Sequence, residues 1–73
     1  MTTMQAQEIV TAASALLAKS SVQELRSLRV DEDSNELRLR GKVRSFYHKQ
    51  LAQEAVLPVA GSLQVVNHVD VHH

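Results

Sequence analysis

Five basic side chains alternate along one stretch of this chain: Arg29 before an acidic segment, then Arg38, Arg40, Lys42 and Arg44 after it. Side chains two apart on an extended strand share a face, so as a strand pair these residues form one basic stripe. A guanidinium group presents paired N–H donors in a planar fork, which suits phosphate and carboxylate oxygens. The chemistry implied is anion recognition. The same cations also have a plainer use: keeping an open sheet face soluble, paired with cross-strand acids such as Asp31 and Asp70.

Other chemistries find less support. The serines fall in caps, turns and helix surfaces, no nucleophile–base–acid set is visible, and Gly41 and Gly61 are too far apart to build a phosphate loop. Asp31, Glu32 and Asp33 belong to a solvated turn. A core this small scarcely encloses a water-excluding pocket, so neither an enzyme nor a cofactor site is expected. His68 and His72 are roughly 13 Å apart on a strand, too far to share a zinc ion. His48 has Ala52 rather than a ligand one helical turn on, and His72-His73 is terminal, so no metal site is expected. Nucleic acid is also a poor fit. Single-strand readers offer aromatic platforms, whereas the aromatics here are Phe46 and Tyr47, adjacent at the start of a helix, and the net charge is zero. This pair is better suited to core packing or self-association.

The elements that position the stripe follow from periodicity. Apolar residues at helical spacing (Ala6, Ile9, Ala13, Leu16, widened by Val10 and Leu17) predict a helix over 5–19, capped by Thr2 or Thr3. Alternation then predicts strands near 26–31 and 36–43, joined as an antiparallel hairpin through Glu32-Asp33-Ser34-Asn35. Gly41 falls at an inward position, which implies the close approach of a helix or a bulge. Ser45 caps a second helix over 45–57, with Tyr47, Leu51, Ala52 and Ala55 at helical spacing and Pro58 ending it. A third strand covers 63–71, where Asn67 interrupts an inward apolar row and requires hydrogen bonds. The predicted core is Ile9, Ala13, Leu16, Leu28, Val30, Leu37, Leu39, Val43, Leu51, Ala55, Val65, Val69 and Val71. This is one α+β domain spanning 1–73, ordered αββαβ, with two helices on one face of a three-stranded sheet.

Two stretches of the chain resemble the BON domain, a bacterial module of osmotically inducible and nodulation proteins. LRVDEDSNELRLRGKVRS is similar to its strand–turn–strand signature, through Leu39, Gly41, Val43 and Ser45. AQEAVLPVAGSLQVVNHVDV is similar to its second half, through Ala52, Val59, Gly61, Val65, Asn67, Val69 and Val71. The hydrophobic residue that usually follows the family's glycine is Ser62 here, and Leu63 is the candidate to take over its packing. The resemblance implies an αββαβ fold and a non-catalytic role in binding phospholipid surfaces or other macromolecules.

Neither a secretory signal nor a membrane-length apolar run is visible, so a cytoplasmic location is expected. A domain of this length buries only roughly 60% of its unfolded surface, and it has no cysteine to staple it, so a homo-oligomer, most simply a two-fold dimer, is expected. The leading functional expectation is a self-associating module that docks on a protein or an anionic surface. Peripheral phospholipid binding by the basic sheet face comes second, and a small-ligand or ion sensor third. Replacing Arg38, Arg40 and Lys42 by glutamine is expected to abolish vesicle binding.

Overall fold

A run of alanine and leucine free of glycine and proline forms the first helix, α1 (Ala6–Ala18), in the computed structural model, which describes residues 5–72. Gln5 occupies its N-cap position, and its backbone N–H donates to a Glu8 carboxylate oxygen at 3.2 Å. The carboxylate also sits at the positive end of the helix dipole. Thr2 and Thr3 lie outside the described residues. The buried row is Ile9, Ala13 and Leu17, all in steps of four. Leu16, expected in the core, is 39% exposed. The row continues from Ala13 to Leu17, and Leu16 points about 100° to one side.

Between α1 and the sheet the chain makes a 3-10 turn, Gln23–Ser27, that delivers Leu25 to the core. The first strand therefore begins later than alternation suggested. β1 is Arg29–Asp33 and pairs antiparallel with β2, Glu36–Val43. Ser34 and Asn35 join them with φ of +50° and +66°. Positive φ at both central residues is the two-residue turn whose twist matches that of the flanking strands.

Ser45 caps the second helix, α2 (Phe46–Val56), by accepting the His48 backbone N–H at 3.1 Å. Pro58 falls in a short 3-10 turn, Leu57–Val59, that ends it. The last strand, β3 (Gln64–Val71), runs parallel to β2, with α2 as the crossover. The sheet order is β1-β2-β3, so β2 is central and both its neighbours are edges.

Both helices pack on one face, α1 towards β1 and α2 towards β3. Leu37, Leu39 and Val43 of the central strand are buried there, with Val69, Ala52, Val56, Ala60 and Leu63. Leu63 indeed packs inward where Ser62 does not. Val30, Val65 and Val71 are only half-buried, because they belong to edge strands that one helix covers on one side. Leu51 and Ala55 are half-buried too: α2 turns its Ala52–Val56 side inward. Gly41 stands at the inward position opposite Val69 with φ of +140°, and a Cβ there would lie 2.5 Å from Leu28 Cδ2. The close approach is to the residue leading into β1 rather than to a helix.

Candidate open-face docking surface

The pairing register sorts the helix-free face into rows. Arg29, Arg40 and His68 stand side by side, as do Asp31, Arg38 and Val66, then Asp33, Glu36 and Gln64 towards the hairpin. In the other direction Lys42 stands beside Asp70, and Arg44 follows the end of β2. Alternation thus brings Arg29, Arg38, Arg40 and Lys42 to one side of the sheet, and Arg44 follows in the bend beyond it.

Their charges are not equally available. Arg38 is three-quarters covered, bonding Glu36 through Nη2 at 3.0 Å and Nε at 3.1 Å, with Asp33 at 3.5 Å from Nη1. Arg40 meets Asp31 at 3.6 Å. Among the described residues Arg29, Lys42 and Arg44 are exposed and make no ion pair. The stripe therefore divides into a hairpin half whose arginines are paired with acids and a far, basic end whose cations make no ion pair, with Asp70 beside Lys42. The sequence contained the signal for this division: across a two-residue turn Asp33 faces Glu36, which leaves Arg38 flanked by carboxylates on both strands.

Arg26 extends the basic end. With Arg44, Ser45, His48, Gln23, Glu24 and Ser27 it lines an open cleft of about 860 Å³ between the 3-10 turn and the start of α2. Arg26 is held there by donating from Nε to the Ser20 carbonyl at 2.8 Å. His48 Nδ1 is hydrogen-bonded to a Glu24 carboxylate oxygen, so this acid is engaged within the cleft wall. Periodicity does not reveal that contact, because it depends on where the 3-10 turn lands.

Asn67 is a structural amide. Its Nδ2 donates to the Lys49 carbonyl at 2.8 Å and lies 3.4 Å from Gln53 Oε1, while its Oδ1 accepts the Val69 backbone N–H at 3.2 Å. It ties α2 to β3. Asn67→Ala is expected to cost about 1–3 kcal/mol, a fall of at least about 4 °C in the Tm of a domain this size. An unchanged thermal melt would contradict the tie.

Phe46 and Tyr47 are 68% and 69% exposed, so the expectation that they serve core packing is corrected. At the first turn of α2 both lie off the Ala52–Val56 side that enters the core. The described residues hold no group of three or more histidine, cysteine, aspartate or glutamate side chains placed to bind a metal ion, and no helix long and apolar enough to cross a membrane.

No curated protein and no solved structure matches the chain at a significant level. Its family is nonetheless clear. The BON domain profile matches residues 5–72, from the cap of α1 past the end of β3, and takes in every element that builds this face. The chain belongs to the BON domain family, whose members suggest a binding or interaction role at the level of the family.

Proposed function

We propose that this domain is a non-catalytic interaction module that docks, by the basic end of its open sheet face, on a surface bearing anionic groups. The observation that carries the reading is the division of the stripe. Arg38 and Arg40 are engaged by Asp31, Asp33 and Glu36, whereas Arg29, Lys42 and Arg44 are exposed and without ion pairs among the described residues. Cations in that state meet phosphate or carboxylate groups without first breaking an internal pair.

Phospholipid headgroups are the form of this surface that is simplest to test. A cytoplasmic site of action belongs to the same reading, because the cytoplasmic leaflet is anionic. Each cation near such a membrane contributes about 1 kcal/mol, so three give reversible attachment that salt weakens. The apolar contribution is small, since Val66 is the one apolar side chain among the open-face positions of the sheet and is half-buried.

Sedimentation of the chain with vesicles is the test. Binding is expected to phosphatidylglycerol-containing vesicles, not to pure phosphatidylcholine, and to fall steeply between low and physiological salt. Equal binding to both lipids, or binding indifferent to salt, would contradict it.

A further inference from the structure

The two edges of the sheet differ in a way that the docking surface does not explain. β1 has five residues, four of them charged: Arg29, Asp31, Glu32 and Asp33. A short, charged edge resists pairing with another strand. β3 has eight residues, and Asp70 is its single acidic or basic one apart from His68.

The backbone of β3 is also turned to pair. The Gln64 N–H donates to the Asn35 carbonyl at 3.1 Å and the His72 N–H to the Val43 carbonyl at 2.8 Å. Even-numbered residues thus direct their backbone groups to β2, and by alternation Val65, Asn67, Val69 and Val71 direct theirs away from the sheet. The Val69 N–H is met by the Asn67 side chain, which leaves the outward N–H groups of Val65, Asn67 and Val71 at an open edge.

We propose that β3 is a dimer seam: β3 of a second copy pairs with it antiparallel, making one six-stranded sheet. A two-fold axis at His68 sets Val65 opposite Val71, and Val71 opposite Val65, on the helix side. Both are half-buried in the single chain and pack against its core, so the pairing adds an apolar contact at each end of the seam, with Asn67 opposite Val69 between them. On the open side Val66 faces Asp70 of the second copy, so the strand's one acid meets no like charge. The strand is complementary to itself in this register, and that complementarity selects a second copy over an unrelated strand.

Antiparallel pairing keeps each side chain on its own face of the sheet, so both open faces point the same way. The dimer then presents two basic ends to one surface, and the second attachment becomes intramolecular. This inference goes beyond the docking reading and rests on a different part of the molecule.

Sedimentation equilibrium of the whole chain over a wide concentration range is the experiment, with Val66→Asp and Val66→Lys as paired variants. Position 66 is half-exposed on the open face beside Arg38, with Asp31 one strand further on, so circular dichroism confirms the fold of each variant before its mass is compared. The unaltered chain is expected to reach the mass of two chains. Val66→Asp sets carboxylates against each other twice across the seam and is expected to raise the dimer dissociation constant roughly tenfold. Val66→Lys sets an ammonium against Asp70 and is expected to leave it unchanged or lower it.

Hydrogen exchange of the unaltered chain gives a readout that needs no variant. The amides of Val65, Asn67 and Val71 are expected to exchange more slowly at high concentration than at low. A single-chain mass at every concentration overturns the seam, as does exchange at these amides that ignores concentration. Equal weakening by both charges overturns it too. So does a dimer that Tyr47→Ser dissociates while both Val66 variants leave it intact.

Discussion

Replacing Leu39 by alanine is expected to cost about 2–5 kcal/mol and to abolish cooperative melting or lower the Tm by at least about 8 °C. Leu39 is fully buried at the centre of the middle strand, between Val30 on β1 and Asn67 on β3. A domain this small has roughly 4–11 kcal/mol of stability in all, so the loss is a large share of it. Urea unfolding followed by circular dichroism measures it directly. An unchanged midpoint would mean that the faces of β2 are reversed, because a slip of one residue exchanges Leu37 and Leu39 for the arginines beside them.

Gly41→Ala is expected to be nearly as severe for a reason that area does not capture. The backbone φ of +140° is one that a residue with a Cβ rarely adopts, and holding alanine there costs of the order of 1–3 kcal/mol. The new methyl also meets Leu28 Cδ2 at 2.5 Å, so that side chain must move out of a packed core. The two effects separate in a double-mutant cycle with Leu28→Ala. In that background the contact is relieved and the backbone strain stays, so Gly41→Ala is expected to cost less than in the unaltered chain but still to destabilise. Equal stability of Gly41→Ala and the unaltered chain would contradict both effects.

Much of the fold was legible because alternation and helical spacing are local. Leu37, Leu39 and Val43 alternate with Arg38, Arg40 and Lys42 over a whole strand, and one register buries all the leucines. Ser45 and Pro58 mark the limits of α2 by their own chemistry. What was not legible depends on a few degrees of helix rotation or on distant contacts. Leu16 and Leu17 are adjacent and equally apolar, and only the direction from which the sheet meets α1 decides between them. Leu25 fits the alternation poorly because it enters the core from a 3-10 turn, which shows no period over five residues.

The basic stripe shows the same limit. Its spacing places five cations on one face, but whether a cation is available depends on the turn that folds Asp31 and Asp33 back across β2. Once Ser34 and Asn35 take up their positive φ, Arg38 is closed in by Asp33 and Glu36 and Arg40 is paired with Asp31, and the cations of the stripe without an ion pair are Arg29, Lys42 and Arg44.

Docking through the basic end is tested most directly by measuring the vesicle dissociation constants of two variants side by side, at one salt concentration and with circular dichroism confirming their fold. One carries Arg29→Gln, Lys42→Gln and Arg44→Gln, and the other Arg38→Gln and Arg40→Gln. The first is expected to bind phosphatidylglycerol vesicles roughly a hundredfold more weakly, since three contributions of about 1 kcal/mol are removed. The second is expected to bind within a few-fold of the unaltered chain, because its arginines are already paired with acids. The reverse order, with Arg38 and Arg40 essential and the basic end dispensable, would contradict the assignment.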